Sequence, residues 1–116
     1  MKLKAVQFGA GNIGRGFLGQ LFFESGYDTV FVDVIPEVVD GLRTRGAYPL
    51  RIVGDQSRTL SIGNVTAIHS SDRDHVAAAI AEADLAATAV GVKVLPKVAP
   101  VLALGIAKRF EQDSRA

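Results

Sequence analysis

Gly9, Gly11 and Gly14 carry the strongest chemical signal in the chain, spelling G-A-G-N-I-G close to the N-terminus. That spacing suits a phosphate-binding turn. The first glycine permits a tight bend, the second lets a pyrophosphate approach the backbone, and the third lets the next helix pack closely on the preceding strand. The helix N-terminus then offers unpaired N–H groups and a partial positive charge to the anion. A purely structural turn uses the same glycines, so the motif gains weight only from a strand before it and a helix after it. Asp33 stands about twenty residues beyond the loop, where a carboxylate accepts hydrogen bonds from both hydroxyls of an adenosine ribose. It would repel a 2′-phosphate, and Arg43 and Arg45 stand about ten residues further on, so NAD rather than NADP is the expected cofactor. The bland alternative for Asp33 is a carboxylate that solvates a strand end. Arg15 either reaches a phosphate from the first helical turn or is an ordinary surface arginine.

Other chemistries find little to work with. The 116 residues include 13 Lys and Arg against 12 Asp and Glu, a net charge of +1, which gives no cationic excess for nucleic acid. With no cysteine, disulfides, thiol catalysis and zinc–thiolate sites are excluded, and two histidines, His69 and His75, leave little for a histidine metal cluster. Both histidines read as surface residues, and no serine or threonine has the strand-elbow setting of a hydrolase nucleophile. The most apolar later stretch, Val98 to Ala107, is too short for a membrane span and is interrupted by Pro100 and Gly105. No membrane association is expected, and the cytoplasm is the default compartment.

The elements that must position the loop follow from patterning. Leu3–Phe8 is a short apolar run suited to a buried parallel strand. Ile13, Phe17, Leu18, Leu21 and Phe22 predict one apolar helix face, closed at Gly26. Thr29–Val34 is strand two, and Pro36 opens a short helix that Gly46 ends. Tyr48–Val53 and Thr59–Ile68 predict strands of a hairpin-like insertion around the polar turn GDQSR, with a second turn signal at Gly63 and Asn64. Ser71 and Asp74 match a capping pattern for a helix reaching about Glu82. Leu85–Val90 predicts another strand, and Leu95–Phe110 a helix that Pro96 and Pro100 start or kink. With 48% hydrophobic residues and no linker, one domain spanning residues 1–116 is expected. Its class is α/β and Rossmann-like, a mostly parallel sheet with flanking helices and an incomplete second half.

The run F-G-A-G-N-I-G-R-G-F at Phe8–Phe17, F-V-D-V at Phe31–Val34, T-A-V-G at Thr88–Gly91 and V-A-P at Val98–Pro100 together resemble the N-terminal domain of the mannitol-1-phosphate 5-dehydrogenase family. These are polyol-specific long-chain dehydrogenases. The resemblance implies interconversion of D-mannitol 1-phosphate and D-fructose 6-phosphate with NAD. It places the cofactor along Ala5, Val6, Gln7, Phe8, Gly9, Ala10, Gly11, Asn12, Ile13, Gly14, Arg15 and Gly16, with Asp33 at the ribose and Val90 and Gly91 toward the nicotinamide. It further implies a catalytic lysine, with asparagine and histidine partners, in a C-terminal domain that these residues do not include. The sugar phosphate is therefore expected as a partner only when that domain is present. Lys93, the titratable group near the expected nicotinamide end, reads as a solvated lysine rather than a base, so no catalytic residue is assigned within the chain. Val98, Val101, Leu102, Leu104 and Ile106 cannot all be covered unless the final helix lies on the sheet, and part of that helix would face the missing domain, so self-association through apolar surface is expected. The competing reading is a non-catalytic NAD-binding or sensing module that acts through a partner.

Overall fold

The computed structural model describes residues 3–11, 13–52, 58–90 and 95–112. β1 (Leu3–Phe8) lies inside a four-stranded sheet of order β5-β2-β1-β6, flanked by β2 (Tyr27–Asp33) and β6 (Leu85–Thr88). β5 (Val65–His69) forms the edge beyond β2, and all three pairings are parallel. From Ala5 to Phe8 the strand is fully buried, as a parallel strand covered on both faces requires.

Strand residues alternate between the two layers. Val6, Phe8 and Val32 face α3 (Arg73–Glu82) and α4 (Leu95–Gln112), packing with Val76, Ile80, Val98 and Val101. Phe31 and Ala67 face the opposite way, toward Val39 and Leu42 of α2 (Pro36–Arg45). That second layer also holds Tyr48 and Ile62, from a separate antiparallel pair made by β3 (Tyr48–Ile52) and β4 (Arg58–Ile62). Arg109 on α4 donates to the carbonyls of Ala81 and Ala83, placing a cation at the C-terminal end of α3.

Three expectations change. Thr59–Ile68 is not one arm of a hairpin: Gly63 and Asn64 divide it, β4 pairs with β3, and β5 joins the main sheet against β2. Asn64 turns the chain with φ 56°, a left-handed conformation that asparagine tolerates. The Ser71 and Asp74 capping pattern does not form, because the helix starts one residue after Asp72, whose carboxylate instead meets His75 Nδ1 at 2.6 Å. Ser71 is drawn to His69, its hydroxyl 2.7 Å from Nδ1. The first helix opens with a π-helical turn, Gly14–Leu18, before continuing as α1 (Gly19–Glu24). A π turn aligns residues five apart, so Gly14 and Gly19 both face inward. Phe22 is buried with them, while Ile13, Phe17 and Leu21 of the expected apolar face are exposed. The last helix begins at Leu95 beside Pro96, as expected, and carries Pro100 inside it. The expected turn GDQSR lies outside the described residues except for Arg58, the first residue of β4.

Candidate dinucleotide site

β1 ends by delivering Gly9 into a bend that only a residue without a side chain fits. Its φ is +98°, and a Cβ there would collide with the Ala89 carbonyl oxygen. Gly9 N–H donates to Val32 O at 2.8 Å, and Ala89 N–H donates to Phe8 O at 2.8 Å, so the strand ends of β1, β2 and β6 stay knitted together at the loop. Gly14 is equally constrained, since a Cβ would strike the Gly9 carbonyl oxygen. Gly11 is different. A Cβ there would meet nothing within 4 Å, so its bare backbone opens on space that a ligand can enter.

Asp33 ties this loop to β2. One carboxylate oxygen accepts the Ala10 N–H at 2.7 Å, and the other accepts the N–H groups of Val34 at 2.7 Å and Ile35 at 3.1 Å. The side chain is half-buried, and carboxylate oxygens have lone pairs left for further donors. Behind it, Ser70 N–H donates to the Asp33 carbonyl at 2.9 Å. The ring of His69 is 2.9 Å from Val34 O through Nε2, and its Nδ1 accepts the Ser71 N–H at 3.1 Å. Nε2 is thus the protonated nitrogen, and the imidazole braces the turn that follows Asp33.

A cavity of about 260 Å³ opens at these strand ends, lined by Gly9, Gly11, Asp33, Ser70 and Val90 among others. It shares Phe8, Val32, Val34, Ser70 and Val98 with a neighbouring crevice of about 370 Å³ that runs toward Arg73 and Lys97. A larger space of about 510 Å³ lies by Lys4, Asp28 and Glu82, at the opposite ends of the strands. In sheets of this kind, ligands bind outside the carboxyl ends, so the smaller pair is the candidate site.

The expected residues divide accordingly. Phe8, Gly9, Gly11, Asp33 and Val90 line the cavity, and Ala10 holds Asp33. Ala5, Val6 and Gln7 are buried in the sheet beneath the loop. Ile13 projects outward, 65% exposed. Arg15 and Gly16 sit in the π turn, and Arg15 borders a separate crevice with Arg45 and Tyr48. Arg43 is engaged with Ala67 O at 3.2 Å. Asn12, Gly91 and Lys93 lie outside the described residues. Ser70 and Val98 were not expected at the site. Ser70 was findable in principle, because it follows β5, but only once Val65–His69 is separated from the hairpin.

Residues 3–116 match the family described as the mannitol dehydrogenase Rossmann domain. The chain belongs to that family. Among relatives of this mannitol dehydrogenase Rossmann domain, the mannitol-1-phosphate 5-dehydrogenase of Geobacillus thermodenitrificans is 50% identical over 109 residues, covering 93% of this chain and 28% of the relative. That of Exiguobacterium sibiricum is 47% identical over 108 residues, covering 92% and 28%. The Streptococcus mutans enzyme of the same name is 42% identical over 113 residues, covering 97% and 30%. The chain therefore spans less than a third of the length of these relatives. Membership of a Rossmann dehydrogenase family implies a nucleotide cofactor for the mannitol dehydrogenase Rossmann domain described here. Among the described residues, no helix is long and apolar enough to cross a membrane.

Proposed function

We propose that the chain is the NAD-binding part of a cytoplasmic oxidoreductase that interconverts D-mannitol 1-phosphate and D-fructose 6-phosphate. The observation that carries the cofactor assignment is the buckle between Asp33 and Ala10, which holds a carboxylate at the mouth of the glycine loop beside the open backbone of Gly11. Gly11 and the helix N-terminus would take the pyrophosphate, and Asp33 would accept the ribose hydroxyls. A 2′-phosphate would bring two further negative charges against that carboxylate. Val90, at the end of the β6 segment, would border the nicotinamide side. When bound, the nicotinamide supplies the hydride acceptor. The substrate assignment rests on the likeness to the mannitol-1-phosphate dehydrogenases, with 42–50% identity among those compared.

Calorimetric titration with NADH and NADPH tests the cofactor. NADH is expected to bind more tightly, and tighter NADPH would overturn the assignment. Among the described residues there is a grip for the cofactor and no group placed to move the substrate proton, and the 116-residue chain is expected to show no turnover. An absorbance assay at the NADH band with fructose 6-phosphate checks this, and turnover abolished by Lys93→Ala would contradict it. Self-association belongs to the same reading, because Ile13, Phe17, Leu21, Ile106 and Phe110 are exposed. Light scattering is expected to show a mass above the monomer as concentration rises, and a strict monomer would count against it.

A further inference from the structure

The β3–β4 pair is tied to the glycine-loop helix by a hydrogen bond. Tyr48, the first residue of β3, is buried, with its ring edge-on to Phe31 at a centroid distance of 5.9 Å. Its hydroxyl donates to the carbonyl oxygen of Arg15 at 2.6 Å. In an α-helix that oxygen accepts from the amide four residues on, which is Gly19. Here the Gly19 N–H bonds instead to Gly14 O, five residues back. The π turn thus takes the Gly19 amide away from Arg15 O, and the tyrosine hydroxyl occupies the place it left. Gly19 makes room for this arrangement, since a Cβ there would collide with the Tyr48 hydroxyl and lie 3.1 Å from Phe31 Cζ.

The bond is well sheltered. Burial pushes the Tyr48 hydroxyl up to about 12, against the opposing pull of the Arg15 charge, so it remains a donor throughout the neutral range. Arg15 Nε is itself buried, with no hydrogen-bond partner among the described residues. A π turn within a helix is uncommon and recurs at functional sites. This one begins at Gly14, the last glycine of the loop motif.

We infer that Tyr48 is a positioning residue for the pyrophosphate: by holding Arg15 O it fixes the π turn, and the π turn sets where the first amides of the helix point. The inference rests on the dinucleotide reading above. It makes the β3–β4 insertion part of the binding apparatus, although no described residue of that insertion lines the cavity beside Asp33.

Tyr48→Phe removes one oxygen and keeps the ring, so the packing against Phe31 survives. The test compares the wild-type chain with this variant. NADH is followed by calorimetry, and adenosine, which has no phosphate, by NMR at millimolar concentration. In the variant, NADH affinity is expected to fall about five- to tenfold, as for loss of one sheltered hydrogen bond. Adenosine affinity is expected to change less than about twofold, because its contacts do not involve the helix amides. The backbone resonances of Gly14 to Gly19 are expected to shift as the turn relaxes toward α geometry. Unchanged NADH affinity, equal losses for both ligands, or undisturbed Gly14–Gly19 resonances would each overturn the inference and leave the dinucleotide reading standing. Failure of the wild-type chain to bind NADH would instead sink the dinucleotide reading, and the positioning role with it.

Discussion

Two glycine contacts, one on each face of the sheet, solve the same packing problem with different atoms. On the α3–α4 face, Gly105 lets α4 settle onto α3, and a Cβ there would lie 2.5 Å from Ile80 Cβ and 2.6 Å from its Cγ2. On the other face, Gly14 and Gly19 bring the first helix down onto β1 and β3, where a Cβ would meet the Gly9 carbonyl and the Tyr48 hydroxyl. The first contact is aliphatic and buries area. The second brings polar atoms together: a loop carbonyl, a helix carbonyl and a hydroxyl. Close approach alone therefore does not mark a site. What marks it is which atoms are approached, and whether a neighbouring glycine, here Gly11, faces empty space.

Substitution separates the two faces most sharply at Gly14. Gly14→Ala drives a methyl group into backbone, which cannot move aside as a side chain can, and is expected to cost about 3 kcal/mol of stability and abolish measurable NADH binding. Chemical denaturation and calorimetry check both. Gly105→Ala overpacks against Ile80 and is expected to cost roughly 1–3 kcal/mol while leaving NADH affinity within about twofold. If it weakened NADH as much as Gly14→Ala does, the distinction between the faces would collapse.

Alkaline pH probes the same boundary. The Tyr48 hydroxyl is raised from 10.0 to about 12 in the folded chain, so its contribution to stability is fully present below pH 10 and is lost as pH climbs from 10 to about 12. A shift of this size corresponds to about 3 kcal/mol. The difference between wild-type and Tyr48→Phe stability is expected to narrow across that window, and a constant difference would show that the hydroxyl is not held in its neutral form. The smallest effect belongs to Asp33→Asn, which keeps the shape but gives up a charged acceptor for the Ala10 amide. About 1 kcal/mol of NADH affinity is expected to go, along with part of the preference over NADPH.

How much of this was legible in the sequence depends on how local each signal is. The glycine loop, Asp33, Pro36 and Gly46 act through their own backbone conformations or through fixed spacing, and each stands where expected; Gly46, for instance, closes α2 with φ 66°. The division of Thr59–Ile68 is half legible: Gly63 and Asn64 signal the turn, but β-branched and apolar residues stand on both sides of it, and only pairing with β2 shows that β5 belongs to the main sheet. Ile13, Phe17 and Leu21 are exposed for a related reason, since the π turn departs from the α period and puts Gly14 and Gly19 at the inward positions. Tyr48 offered no local signal at all. Its partner, the carbonyl of Arg15, is 33 residues away in the chain.

On the proposed reading, a dinucleotide binds across the glycine loop and Asp33, at the carboxyl ends of the strands. The most direct measurement is an NMR titration of the isotopically labelled chain with NADH, following each backbone amide. The largest shifts are expected at Gly9, Ala10, Gly11 and Gly14, and at Asp33 and Val34, with little change near Lys4, Asp28 and Glu82. Shifts concentrated around those last three residues, in the larger cavity at the opposite end of the sheet, would contradict the account.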